Sequence, residues 1–507
     1  MRYRTERART DGSDLTWAPA PTAGHLDSQQ AKARAWQSPI LRNFTSLTLS
    51  HAAERFISVF GSIYARRVLG VAAIGQVAWT GAALGYISLV VNPGLQWVAK
   101  REVSREPAKA AQYISFLFVL QGMLAVSAYA VILCVYGLQW RGPAISLLLA
   151  LQGISLLTQP FDLQWLLQAH ERMVPLAALS FCSSALQTAA LFVLIHDPSH
   201  VTRFVLLPYP FRVASLAFIV WYSVRCGFLQ LSELRVTMRG AGRVLRQGLP
   251  IALSSATIVL YYNFDSLLLG LLKGDAAVGL YSTAYSLMLI PTFMSNALLN
   301  TYFPLLARSV REPGGAQRVS AEFLKALVWI GFPIASIGWA VGRHVVVLLL
   351  GAKFAVSGPL FEWLCLNLSL IFFNVGYSQP LVAWSHQGAL LRCTAVGAAV
   401  NVAANLWFIP RYGANGAVAT TILAEIAVLI MAVSVRRQIY PLNWIAPLAR
   451  VVPVCVAAAV IARFASDLVS PYLGLVLGIC ICAAGFVAYE WQWIRRAAPS
   501  LYRATPR

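Results

Sequence analysis

The chain is 507 residues long, 58% apolar, and carries 40 Lys and Arg against 19 Asp and Glu, a formal charge of +21. A mean hydropathy of +0.65 excludes a water-soluble globular protein of this size. The basic residues lie in short strips between long apolar runs rather than on one face of a polar chain, which excludes a nucleic-acid binder and reads as membrane topology.

Residues 1–38 hold Arg2, Arg4, Arg7 and Arg9 among Asp, Ser, Pro and Gln, and predict a disordered cytoplasmic tail. The tail lacks the apolar stretch and cleavage site of a signal peptide. A helix crosses a bilayer of about 30 Å with about 20 predominantly apolar residues. Fourteen segments fit: 43–66, 74–98, 112–136, 143–168, 174–195, 201–224, 248–272, 279–306, 321–342, 358–385, 390–409, 414–435, 445–464 and 472–493. An N-terminal six-helix bundle is expected over 39–228, a basic cytoplasmic linker over 229–247 and a C-terminal six-helix bundle over 248–438. Two additional transmembrane helices over 439–494 and a cytoplasmic tail over 495–507 complete an all-α polytopic membrane protein.

With both termini cytoplasmic, 29 basic residues fall on the inner side and 9 on the outer, while Arg55 and Arg212 lie at membrane depth. Cytoplasmic loops carry the Lys/Arg excess, so this count sets the orientation. The chain has no Walker A pattern, no HExxH and no paired His/Cys spacing, so nucleotide hydrolysis, a metal site and an enzyme's cofactor are not expected. The eight cysteines fall within or beside predicted helices and imply no structural disulfide. Trp79, Trp97, Trp140, Trp221, Trp444 and Trp491 fall near predicted helix ends and read as interfacial anchors.

A weak repeat runs through the chain with a period near 205 residues. Leu69-Gly70 leads to Gly75 and on to Arg105-Glu106-Pro107; Leu269-Gly270 leads to Gly279 and on to Arg311-Glu312-Pro313. Parallel repeats place substrate between halves that rock against each other. Several stretches carry a resemblance: Asn401-Val402-Ala403-Ala404-Asn405, then Ile409-Pro410-Arg411-Tyr412-Gly413 through Gly416, Ala417 and Thr420. Arg66 to Gly70 with Gly75, Gly94 to Glu102, Trp165 to Met173, and Asp265 to Gly270 running into Gly279-Leu280-Tyr281-Ser282-Thr283-Ala284 add to it. Over residues 40–440 the chain resembles the Wzx-type polysaccharide transporter family of the multidrug/oligosaccharidyl-lipid/polysaccharide exporter superfamily. Leu280 departs from the family's usual pattern.

The resemblance implies two six-helix bundles plus two C-terminal helices that flip a polyprenyl-pyrophosphate-linked oligosaccharide across the bacterial inner membrane, for O-antigen, capsule or exopolysaccharide synthesis. It implies alternating access coupled to H+ or Na+, and a polysaccharide polymerase and chain-length proteins as partners beside the lipid bilayer; nucleic acid is not a partner. A drug/cation antiporter of the same superfamily and a non-catalytic subunit of polysaccharide assembly are the alternatives.

Against that background the polar residues at membrane depth are the candidate site. Arg55 costs on the order of 3 kcal/mol at the membrane centre unless paired or hydrated, so it is expected to face the interior, as a pyrophosphate or sugar contact or as half of an interhelical ion pair. Glu54 points about 100° away and reads as proton coupling or packing. Gln168 and Arg172 read as a cytoplasmic gate, Arg172 being equally explained by topology. Arg212 follows Pro208-Tyr209-Pro210, which breaks helix six, and reads as a second anion contact or a cap for freed carbonyls. Asp265 shares a helix face with Ser254 and Tyr261 and reads either as ion coupling or as a salt bridge to Arg55. Asn367 and Asn374, with Asn401 and Asn405, offer sugars neutral donors and acceptors or bond neighbouring helices. Glu425 is a further coupling candidate.

Overall fold

A computed structural model of the protein describes residues 23–230, 241–443 and 445–502. Met1–Leu49 forms one unit and Ser50–Arg507 the other. The first described helix begins at Ala23, so 23–38 is helical where a disordered tail is expected. That stretch is rich in Ala and Gln, with Leu, Lys and Arg and no Pro, all compatible with a helix. Residues 1–22, most of the basic linker (231–240) and 503–507 lie outside the described residues.

Among the described residues every regular element is helical. The first half comprises α1 (Ala23–Val91), α2 (Leu95–Arg105), α3 (Ala110–Gly137), α4 (Pro143–Thr158), α5 (Gln164–Ala169), α6 (Met173–Leu194), α7 (Val201–Leu206) and α8 (Pro208–Arg225). The second comprises α9 (Ala241–Lys273), α10 (Asp275–Met288), α11 (Thr292–Ser309), α12 (Gly315–Leu350), α13 (Ser357–Ala383) and α14 (Gln387–Ile439), followed by α15 (Ile445–Leu468) and α16 (Pro471–Tyr502).

Among the described residues, twelve helices are long and apolar enough to cross a membrane, two fewer than the expected fourteen. The difference falls at two glycines. In α14, Gly413 has φ 58° and ψ −131°. Beyond it the chain doubles back: Thr420 bonds Asn405, and a Cβ on Gly416 would press into the Phe408 carbonyl. Gly397 likewise abuts Val428. The span over 387–439 is therefore a helical hairpin of two apolar limbs. In α1, Gly70 (φ 80°, ψ 179°) does the same, since Glu54, Ser58 and Ser62 on one limb line a common cavity with Leu84, Gly81 and Val77 on the other. Left-handed φ is accessible to glycine without a Cβ clash.

The repeat becomes visible in the contacts. A shift of 204 residues carries Gly70 to Gly274, whose angles are φ 84° and ψ 177°, and carries Val71 to Asp275 and Gly75 to Gly279. A Cβ on Gly75 would lie 1.8 Å from the Asp275 carbonyl oxygen, and one on Gly279 2.0 Å from that of Val71. The two contacts exchange under the same shift, so the halves meet back to back through paired glycines at this end of the molecule.

The larger core lies in the second half, where Phe323 and Leu327 of α12 pack with Phe372 and Tyr377 of α13. Helices α15 and α16 are fastened to it by buried carboxylates. Glu490 accepts from Lys325 at 2.7 Å and from Trp329 at 3.2 Å. Glu362 on α13 accepts from Arg343 at 2.9 Å and from Arg463 at 2.7 Å.

Candidate functional site

The first half encloses a cavity of about 820 Å3 among its membrane helices. Its wall sets a group of hydroxyls and amides among Leu, Val and Phe side chains. Ser58 and Ser62 come from α1, Gln152 and Ser155 from α4, and Ser215 from α8. Helix α6 contributes Ser180, Ser183, Ser184, Gln187 and Thr188. These recur at intervals of three, one, three and one, the spacing that keeps residues on one helical face. The α6 stripe is absent from the sequence expectations, yet it was readable as a polar periodicity inside an apolar helix.

Three charged side chains line the same chamber: Glu54, Asp162 and Arg212. Arg212 sits two residues beyond the second proline, Pro210. Leu207 before them keeps helical angles (φ −53°, ψ −38°), so the prolines remove backbone donors without turning the chain. Tyr209 donates its hydroxyl to the Leu151 carbonyl at 2.7 Å, tying α8 to α4 and answering a carbonyl there. The Nε of Arg212 is buried without a hydrogen-bond partner among the described residues. A guanidinium, two carboxylates and many neutral donors and acceptors can hold a polar group that hydrocarbon would reject.

Arg55 departs from expectation: it is exposed and does not line the chamber. The face of α1 turned to the chamber is the one bearing Glu54, Ser58 and Ser62, each four residues apart, and Arg55 lies about 100° from it.

A second polar cluster occupies the second half. Asp265, 2% exposed, accepts from the Tyr281 hydroxyl and from the Ser266 amide at 2.7 Å. Tyr281 also meets Thr421 Oγ1 at 3.1 Å. One turn along α14, Glu425 accepts from the Tyr261 hydroxyl at 2.6 Å and from Asn374 Nδ2 at 2.5 Å. Asp265 therefore does not bridge to Arg55, and neither carboxylate has a cationic partner among the described residues. Both carboxyl groups are buried and are held by neutral donors.

Among the remaining candidates, Asn374, Asn401, Asn405 and Gln168 bond other polar side chains, whereas the Asn367 amide has no hydrogen-bond partner among the described residues. Thr420 donates to Asn405 at 2.6 Å and Asn405 to Asn401 at 2.9 Å, which closes the α14 hairpin rather than lining a cavity. Asn374 positions Glu425, and Asn367 is fully buried away from the chamber. An amide on an apolar helix gains more from a polar group on the adjacent limb than from facing lipid. Gln168 accepts from Lys100 at 2.9 Å, joining α5 to α2 within the first half, and Arg172 is exposed with its guanidinium 5.8 Å from the Phe228 ring centroid. Trp97, Trp140, Trp221 and Trp491 are exposed as anchors should be, and Trp444 lies outside the described residues. Trp79 is instead buried against Gly270 and donates to the Leu267 carbonyl at 3.0 Å.

This geometry sits on a shared architecture. The polysaccharide biosynthesis protein family matches residues 40–310, more than half of the chain. The chain belongs to the polysaccharide biosynthesis protein family. A Shigella dysenteriae protein named "Putative O-antigen transporter" is 21% identical over 394 residues, covering 77% of this chain and 98% of that protein. The structure of a lipid II flippase, MurJ, in an inward closed conformation superposes with a TM-score of 0.73 at 11% identity, covering 89% of this chain and all of that one. An inward-facing multidrug resistance MATE family transporter of the MOP superfamily gives 0.58 at 15% identity, over 77% of this chain and 94% of its own. The fold of this family member is thus that of the MOP transporters, and its Ile409–Thr420 motif forms the tip and the first turn of the returning limb of the α14 hairpin.

Proposed function

We propose that the protein is a flippase for a polyprenyl-pyrophosphate-linked oligosaccharide in surface polysaccharide synthesis. The observation that carries this reading is the hydroxyl-lined chamber at membrane depth in the first half. Sugars and a pyrophosphate cannot enter hydrocarbon unaided, whereas a polar cavity supplies their hydrogen bonds while the prenyl chain stays in lipid. Arg212 is the anion contact of that chamber; the Ser and Thr side chains of α6, with Gln187, are its sugar contacts. Membership of the polysaccharide biosynthesis family and the relative's O-antigen name support the same substrate class.

Asp265 and Glu425 are the coupling groups. A carboxyl buried without a counter-charge favours bound H+ or Na+, and losing that ion alters the hydrogen bonds joining α9, α10, α13 and α14. The flippase reading puts the protein in the inner membrane, and the basic-residue count puts both termini in the cytoplasm, so the Gly70 and Gly274 end faces outward, where a polymerase would take up the flipped product. Depletion of the protein is expected to leave a lipid-linked saccharide on the inner leaflet, identified by mass spectrometry after lipid extraction. A deletion strain that keeps its surface polysaccharide and gains only drug sensitivity would establish the drug/cation antiporter instead.

A further inference from the structure

Where the first limb of α1 ends, three arginines of the first half reach into the second. Arg141 pairs with Asp275 at 3.1 Å, donates to the Gly270 carbonyl, and lies 4.2 Å over the Trp79 ring. Arg67 donates to the Leu348 and Leu349 carbonyls, at the negative end of the α12 dipole. Arg66 differs from both: it donates to Ser286 Oγ at 2.8 Å, to Thr283 Oγ1 at 3.3 Å and to the Ser62 carbonyl and hydroxyl. All its partners are neutral side chains or backbone, and it makes no ion pair among the described residues.

The 204-residue shift gives this contact its meaning. It carries Gly270 and Trp79 to Arg66 and Thr283 with their order exchanged, so the Trp79–Gly270 and Arg66–Thr283 contacts are equivalent positions on the two seams between the halves. The two seams are built from different chemistry. Along the first, the returning limb of α1 and the loop after it pack against α9 from Trp79 on Gly270, through Gly85 beside Asn263, to Gly94 against Gly248 and Ile251. A Cβ at Gly94 would come within 2.8 Å of the Gly248 carbonyl and of Ile251, so this seam is tight at backbone level. At the second, the first limb of α1 is bound to α10 through the Arg66 hydrogen bonds and meets α11 through the Phe56–Phe293 ring contact. The first seam is packed at backbone level along its length, and the second adds the Arg66 hydrogen bonds to a single close contact of Gly279 with Val71.

Arg66 also continues the face that lines the chamber. Glu54, Ser58 and Ser62 face the cavity at four-residue steps, Arg66 is the next step, and Ser62 bonds it directly. An anionic oxygen arriving along this stripe competes with two neutral hydroxyls for one guanidinium. Charge-assisted hydrogen bonds are roughly twice as strong as neutral ones, so the anion wins. We propose that Arg66 is an anion-operated latch: the phosphate group of the cargo takes its guanidinium from Thr283 and Ser286, and that exchange frees α10 from α1. The proposal rests on the flippase reading and adds to it a reason why an unloaded transporter stays shut.

The test uses the full-length protein in lipid nanodiscs, with spin labels introduced as non-canonical amino acids at Val193 and Val356, both exposed near this end on opposite halves. Polyprenyl pyrophosphate is expected to raise the separated population about threefold or more, and polyprenol of the same chain length to leave it unchanged. Inorganic pyrophosphate at millimolar concentration reports the source. A matching shift means the phosphate group alone operates the latch, and no shift means it must arrive on the lipid. Arg66→Gln is expected to populate the separated state without ligand and to gain nothing from it. The pair Thr283→Val and Ser286→Ala, which leaves Arg66 in place, is expected to do likewise. Polyprenol acting as well as polyprenyl pyrophosphate, or both variants keeping the native closed population and response, would overturn the latch. If depletion produces the inner-leaflet saccharide while the distances ignore phosphate, the latch alone fails; if no saccharide accumulates, the flippase reading fails with it.

Discussion

At the level of single residues, the charges at membrane depth divide by what surrounds them. The acids of the second half, Asp265 and Glu425, are shielded and answered by tyrosine hydroxyls, an amide and a backbone N–H. Asp265→Asn and Glu425→Gln keep size and most hydrogen bonds while removing the titration. Each is expected to abolish acceleration by an imposed H+ or Na+ gradient, lowering gradient-driven translocation in vesicles by about tenfold or more while exchange without a gradient persists. A variant that still responds to the gradient would remove that residue from coupling. Tyr261→Phe leaves one Glu425 oxygen without its donor and should cost about 1–3 kcal/mol, read as a lowered unfolding midpoint in detergent. The sequence revealed which residues were polar at depth but not their partners. Arg55 and Glu54 are neighbours, and only the helix phase, fixed by tertiary packing, decides which meets the chamber. Arg66, Arg67 and Arg141 fell among the outer basic residues of the topology count, where nothing separates a loop cation from one spanning two halves.

At the level of elements, glycine decides where a helix turns and where two helices touch. Hydropathy places fourteen apolar segments, and twelve spanning helices result among the described residues because Gly70 and Gly413 join limbs without an intervening loop. Gly413→Ala forces a Cβ into left-handed backbone and is expected to cost about 1–3 kcal/mol, seen as reduced thermal stability with membrane insertion retained. Asn405→Ala removes the bond that ties the limbs of α14 and leaves the Thr420 hydroxyl only its Ala417 carbonyl, at about 0.6–1.7 kcal/mol. A measured loss near zero would return Asn405 to the list of substrate contacts. The α6 stripe was legible from its own periodicity. The pairing of α6 with α1 was not, since it depends on Ser58 meeting Ser184 at 3.0 Å across a gap of 126 residues.

At the scale of the whole molecule, a polar chamber in the first half faces a buried carboxylate pair in the second, across an interface built twice from the same sequence unit. Composition alone marks the membrane class, and the repeat in the sequence marks the duplicated architecture. Its asymmetry, packed along one seam and hydrogen-bonded at the equivalent position of the other, appears only when Trp79 and Arg66 are seen in equivalent positions. Topology is checked by protease or impermeant-reagent access to tags at each end, which the charge count places inside. The central claim is tested most directly by reconstituting the purified protein in liposomes that carry polyprenyl-pyrophosphate-linked oligosaccharide in one leaflet, and measuring its arrival in the other with a membrane-impermeant sugar-modifying reagent. Transfer is expected at least about tenfold above protein-free liposomes, falling by about tenfold when Arg212 is replaced by Gln. Transfer by the native protein no faster than in empty liposomes would contradict it.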